Sequence, residues 1–311
     1  MKALPLFSRT RRGSVGSVGE EALIASVRRW LGRASPASPA GIGDDCAVIR
    51  PARGRELLTV DPVIHGVHFD GRVPPREVGA KLLKRNLSDI AAMGGRPRAA
   101  VVALALEPRV SLAWLAEFHR GLARESRRHG VPIVGGDVAR LPAGFVATLA
   151  LAGEARGRVL TRKGSRAGDW IYVTGSLGGS LASGHHHLFE PRLAEGAWLA
   201  RRAEVRAMMD VSDGLAKDLA ALTPRGAAPA IYGSMLPRRR GSSVRGALGD
   251  GEDYELLFSV ASGTRRDAFS DRWRRAFPRT RLTCIGRFVR AGAVPPDALS
   301  LEDFSGYEHL R

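Results

Sequence analysis

The sequence predicts an α/β protein with mixed sheets, divided into two domains. Its 311 residues and 44% hydrophobic content are enough for two cores of ordinary size. In both halves, short apolar runs alternate with amphipathic stretches of helical period, as in strands interleaved with helices. Glycine-bearing acidic turns punctuate that pattern at the ends of elements.

The elements follow in order. "MKALPLFSRTRRGSVG" is basic and lacks a proper apolar stretch, so residues 1–17 read as a disordered basic tail and not a secretory leader. "GEEALIASVRRWLG" sets Leu23, Ile24, Val27 and Leu31 at helical spacing. "SPASPAGIGDD" then breaks the helix with proline and glycine, and "CAVI" is expected to begin a strand. "ELLTVDPVIHGVHF" reads as a strand running into an irregular acidic and histidine-bearing loop. "REVGAKLLKRNLSDIAAM" is a helix with Leu83, Leu87, Ile90 and Ala91 as its apolar stripe. "AAVVALAL" is a buried strand, "SLAWLAEFHRGLARESRRHG" an amphipathic helix, and "PIVGGD" and "FVATLALAGE" are strands. These complete a first domain over 18–153.

The second domain, 154–311, opens with "VLTRKGSRAGDWIYVTGSLGGS", a turn, a strand and a Gly/Ser loop. A helical stretch leads to "AMMDVSDGLAKDLAAL", which goes strand, acidic turn, helix. An Arg-rich connection over 222–248 precedes the turn and strand of "GEDYELLFSV". His185, His186 and His187 read as a solvated helix face, since they lack the spaced ligands of a zinc site.

The net charge of +17 attracts anions in general. Of the 48 basic residues only five are lysine, and the arginines are scattered, so compositional bias explains the charge better than a dedicated nucleic-acid surface. No run approaches the length of a membrane-spanning helix. Cys46 and Cys284 read as buried thiols in a reducing compartment. A soluble cytoplasmic protein without a membrane or sequence-specific nucleic-acid partner is expected.

The acids carry the chemistry. Asp44, Asp45, Asp61, Asp89, Asp137, Asp210, Asp213, Glu252 and Asp253 all flank glycine or sit at an element edge. Each alone has an ordinary explanation. Asp89 stands four residues after Arg85, Ser212 or Asp213 suits a helix cap, and Asp137 an Asx turn. Gathered in one site, carboxylates repel unless divalent cations separate them. Mg²⁺ suits that role, with hard oxygen ligands, retained waters and substrate phosphates. Arg162 and Lys163 offer a cationic counterpart, and the "TGSLGGS" loop and "SDGL" helix start offer N–H groups to an anion. The sequence has no Gly-Lys dipeptide and no G-x-G-x-x-G, which excludes a Walker cradle. Metal-assisted phosphoryl transfer is the chemistry these features describe.

In their order, "GIGDDCAVI", "HGVHF", "KRNLSDIAAMGGRP", "GGD", "LTRKGSRAGDWIYVTGSLG", "MDVSDGLAKDL", "GEDYELLF" and "FSGYEHL" resemble the thiamine-monophosphate kinase family over roughly residues 18–311. That family belongs with aminoimidazole-ribotide synthetase and selenophosphate synthetase. The resemblance implies a two-domain PurM-like architecture and a homodimer whose N-terminal domains pair their sheets. It implies ATP-dependent phosphorylation of thiamine monophosphate to the diphosphate by direct transfer, with several Mg²⁺ ions. By motif position, Asp45, Thr59, Asp61, Asp89, Asp137, Asp210 and Asp213 are the implied metal ligands, with Asp89 bridging ions. Gly136, Asp137, Arg162 and Ser212 are implied for ATP, with Asp89 and Arg162 catalytic. His68, Glu252 and Phe304 are implied for the thiamine moiety.

The chain departs from the family pattern at Val60, where a hydroxyl is usual, and at Val138 after "GGD". The region after Gly184 and the 222–248 connection are shorter than usual. Two alternatives accompany this reading: another ATP-using member of the superfamily with a different phosphorylated substrate, and a degenerate binder of nucleotide or nucleic acid.

Overall fold

The computed structural model describes residues 4–301, 304, 306 and 307. Two compact units emerge: Met1–Leu87 with Arg96–Arg156, and Ser88–Gly95 with Gly157–Arg311. Among the described residues no helix is long and apolar enough to cross a membrane.

The first unit holds helix α1 (Glu20–Leu31), strand β1 (Arg55–Ile64), most of α2 (Pro75–Ala92), β2 (Arg96–Leu106), α3 (Leu112–His129), β3 (Ile133–Arg140) and β4 (Phe145–Ala155). Its sheet runs β1-β4-β2-β3. β4 is antiparallel to both neighbours, while β2 and β3 are parallel and joined through α3, the crossover that a parallel pair requires. Pro62 is tolerated because β1 is an edge strand. Ser111 Oγ caps α3 by accepting from Trp114 N at 3.3 Å, and Gly130 closes it at φ 65°. Helices α2 and α3 pack through glycine. A Cβ on Gly79 would stand 1.9 Å from Phe118 O, and one on Gly121 only 1.8 Å from Arg76 O.

Only one face of this sheet is apolar and buried. Leu57 and Val63 of β1, Val102 and Leu104 of β2, and Leu149 and Leu151 of β4 are buried. On the opposite face Leu58 is 79%, Val60 61% and Val101 40% exposed. The continuous apolar run "AAVVALAL" is therefore half-buried and not wholly buried as expected.

Three further expectations change here. Residues 46–49 form no strand; they continue an irregular loop, with Val48 and Ile49 exposed and Val48 N bonded to Pro39 O at 2.6 Å. Cys46 is exposed, and both cysteines are free thiols. The described part of the expected disordered tail, residues 4–17, is docked. Phe7 and Ser14 form β-bridges with Val110 and Ser111, and Leu6 and Val15 are buried. Leu6 and Val15 gain burial that the neighbouring arginines do not prevent, since those stay at the surface.

The second unit contains β5 (Trp170–Thr174), α4 (His185–Leu188), α5 (Leu193–Ala200), β6 (Val205–Asp210), α6 (Leu215–Leu222), β7 (Ala227–Ile231), α7 (Val244–Gly249), β8 (Leu256–Val260), α8 (Arg266–Ala276) and β9 (Leu282–Arg290). Its antiparallel sheet runs β6-β8-β5-β9-β7. Both faces are covered. Ile171, Val173, Met209 and Leu257 pack with α6 on one side, and Tyr172, Met208 and Phe258 with Trp198 and Trp273 on the other.

Candidate functional site

In the first unit, the glycine-rich loop after α1 brings carboxylates to a cavity of about 430 Å³. Glu20 and Arg28 of α1, Asp44, Asp45, His119, Gly136 and Asp137 are among its lining residues. The two adjacent aspartates differ. Asp44 accepts a hydrogen bond from Ser38 Oγ, which orders the loop. Asp45 and Asp137 make no hydrogen bond or ion pair among the described residues, so their oxygens remain for a ligand. Gly136 is required by packing: a Cβ there would stand 2.0 Å from Val102 O across the parallel pair. His119, buried between helix and sheet, is held neutral. Burial pushes its pKa down to about 4, against the opposing effect of its 2.8 Å contact with Leu115 O.

Thr59 and Asp61 share one face of β1, and Val60 lies on the other. The lost hydroxyl at Val60 is thus on the open face of the sheet, away from Asp61. Arg85 of α2 holds Asp61 Oδ1 at 3.3 Å and donates to Pro62 O at 2.6 Å. His68 is buried; its Nδ1 accepts from Ile64 N at 3.2 Å, and its carbonyl accepts from Lys81 Nζ at 2.7 Å.

In the second unit the acids form a stitched assembly. Asp210, buried at the end of β6, accepts from Ser88 Oγ at 2.5 Å, which ties it to the last turn of α2, where Asp89 is the next residue. Asp213 pairs with Lys217 at 2.9 Å. Neither Ser212 nor Asp213 caps α6 through its side chain; the N-cap is Gly214. Instead Asp218, buried inside α6, accepts from Ser212 N at 2.9 Å and Asp213 N at 3.1 Å. Burial, and then the charge of Asp213, raise the Asp218 pKa to about 7. Arg162 is close enough to oppose that rise. The pairing of Met208 N with Thr161 O at 2.9 Å sets its chain segment beside β6.

The Gly/Ser loop does not offer its amides to an outside anion as expected. Gly178 N donates to both oxygens of Asp253 at 3.0 Å, and Gly179 N to Asp250 at 2.6 Å. The "SDGL" amides are similarly taken by Asp218. Internal carboxylates already satisfy these donors. Arg239, one of the basic knot 238–240, is also internal, bonded to Asp253 at 3.0 Å and Ser176 O at 2.8 Å.

Nor are the three histidines a solvated face. His186 is buried, with Nδ1 3.6 Å from Glu252 Oε2, and His185 Nε2 lies 3.0 Å from Asp253 O. Phe304 is half-buried against the second core, with the Arg245 guanidinium 5.5 Å from its ring centroid. The rest of the expected terminal motif, except Gly306 and Tyr307, lies outside the described residues.

Among the described residues no three His, Cys, Asp or Glu side chains form a ready-made metal cluster. Aspartate oxygens that come singly or in pairs still suit Mg²⁺, which takes one or two carboxylates and completes its shell with water and phosphate. They do not suit a structural zinc site, which needs four protein ligands. Sequence reasoning missed Asp218 altogether and read His186 as solvated. The spacing of Asp218, five residues after Asp213 inside a helix, was the available signal.

Residues 43–159 match the AIR synthase related protein, N-terminal domain family. The thiamine-monophosphate kinase of Salmonella typhimurium is 33% identical over 310 residues, covering 87% of this chain and 91% of the relative. The solved thiamine-monophosphate kinase of Stenotrophomonas maltophilia superposes with a TM-score of 0.72 at 31% identity, over 88% of this chain and 95% of that one. AaThiL, solved in complex with AMPPCP and TMP, superposes with a TM-score of 0.70 at 28% identity, over 97% of this chain and all of that one.

Proposed function

The chain belongs to the thiamine-monophosphate kinase family and is an ATP-dependent thiamine-phosphate kinase of two-domain PurM-like architecture, and we propose that it transfers phosphoryl directly and in line with several Mg²⁺ ions. The observation that carries this finer reading is the pair Asp45 and Asp137, unpartnered among the described residues and lining one cavity with Gly136. In this proposal Asp45, Thr59, Asp61, Asp89, Asp137, Asp210 and Asp213 hold the metal ions. When bound, Mg²⁺ supplies charge neutralisation for the phosphoryl oxygens.

Gly136, Asp137 and Ser212 bind ATP, and Arg162 aims its guanidinium fork at phosphate oxygens. His68, Glu252 and Phe304 hold the thiamine moiety. No side chain has to remove a proton, because the accepting phosphate is already an anion at neutral pH. Positioning and charge neutralisation supply the rate. A chirally labelled γ-phosphate tests the path: direct transfer inverts phosphorus, and retention would overturn it. Incubation with ATP, Mg²⁺ and thiamine monophosphate should yield thiamine diphosphate and nothing when Mg²⁺ is chelated.

We place a homodimer contact on the open face of the first sheet, at Leu58, Val60 and Val101. Covering each of these side chains returns about 1.5–3 kcal/mol at most. Leu58→Asp should convert the sedimenting species to monomer; an unchanged dimer would remove the face from consideration. A cytoplasmic location is proposed, and recovery in the membrane fraction after cell lysis would count against it.

A further inference from the structure

The short helix α4 braces one partner, the segment Glu252–Tyr254. His185 Nε2 lies 3.0 Å from Asp253 O, and Phe189 stacks on Tyr254 with ring centroids 4.0 Å apart. His186 Nδ1 stands 3.6 Å from Glu252 Oε2, and His187 Nδ1 stands 3.1 Å from His186 Nε2. Glu252 and Tyr254 have φ of 52° and 51°, the two non-glycine residues with left-handed backbone among those described. Each such residue costs about 1–3 kcal/mol, so the surrounding contacts must over-determine the turn, and such strain gathers at functional positions.

The brace fixes a carboxylate. Tyr254, itself buried, donates its hydroxyl to Glu252 Oε1 at 3.4 Å, while His186 approaches Oε2. With its proton on Nδ1, His186 points N–H at Glu252 and leaves Nε2 to accept from His187. The Glu252 side chain is 21% exposed, so it is accessible from solvent. The thiazolium ring of thiamine carries a permanent positive charge, which a fixed carboxylate complements.

We infer that His186, with His187 behind it, is a positioning residue that sets recognition of the cationic thiamine moiety by orienting Glu252. This rests on the proposed role of Glu252 above. The histidines touch neither reacting phosphate in this reading, so they act on affinity for one substrate and not on ATP.

Steady-state kinetics on the full chain tests this. His186→Ala should raise KM for thiamine monophosphate about tenfold, as for loss of one polar contact that orients a charged group, with KM for ATP within about twofold. His186→Asn, whose amide can donate from nearly the Nδ1 position, should recover most of that loss. His187→Ala, a milder change at a half-buried site, should raise the same KM by about threefold, and it serves if His186→Ala does not fold. In a Glu252→Gln background His186→Ala should add little, because the two share one interaction. Unchanged KM values in folded variants, or equal loss for both substrates, would overturn the inference while leaving the kinase reading intact. A wild-type protein that makes no thiamine diphosphate would overturn both.

Discussion

The acidic turns of the two units look alike in sequence and differ in how their carboxylates are used. In the first unit Asp45 and Asp137 are unpartnered among the described residues, and glycine supplies the bend and the close approach. In the second, Asp210, Asp213, Asp218 and Asp253 are each tied to a hydroxyl, an amide or a cation. The difference separates two costs. Removing a tied carboxylate takes an acceptor from a turn, whereas removing an unpartnered one is expected to leave the fold intact.

The greatest expected effect tests the proposed role of Asp89 in the second unit. Asp89→Asn should lower kcat by about 10²–10³-fold, as for loss of one charge-stabilising group, in a protein that stays folded by circular dichroism. Near-normal turnover would return Asp89 to an ordinary surface acid. Next comes a tied carboxylate with no assigned ligand. Asp253→Ala should destabilise the fold by about 3 kcal/mol in denaturant titration, because it leaves Arg239 without its carboxylate partner and Gly178 N and Ser180 Oγ without their acceptor. A variant as stable as the parent would break the distinction drawn between the two units.

Asp45 and Asp44 then sharpen the comparison within one loop. Asp45→Asn should cut kcat/KM by about 10–100-fold and raise the Mg²⁺ requirement, while Asp44→Asn, which keeps an acceptor for Ser38, should cost less than about threefold. Equal losses would mean that both aspartates act as ligands.

The smallest effect concerns His119. Its folded pKa of about 4 lies below the usual 6.5, so its contribution is present above pH 6.5 and is lost as pH falls toward 4. Stability should drop by about 2 kcal/mol between pH 7.5 and pH 5 on this account. His119→Gln should flatten that slope; an unchanged slope would assign the acid sensitivity elsewhere.

Much of this was legible in the residues. Helix α3 is written in its apolar period, its Ser111 cap and its terminal Gly130, all local features. The strands around Val173, Met209 and Leu257 were legible because β-branched and apolar runs bounded by turns fold in few ways. "CAVI" failed for the same reason: four apolar residues look like a strand, but pairing with a neighbour is a non-local event. His186 was misread because a histidine triplet on its own has no burial. Glu252, whose Oε2 lies 3.6 Å from it, arrives 66 residues later.

By itself, then, the sequence determined the α/β class, the order of elements and the identity of the acids, since period, capping and turn chemistry act over a few residues. Only tertiary structure decided which carboxylates are consumed. Whether Asp253 meets Gly178, or Asp45 meets no partner among the described residues, depends on contacts between distant segments. A buried amide must find an acceptor wherever the fold brings one.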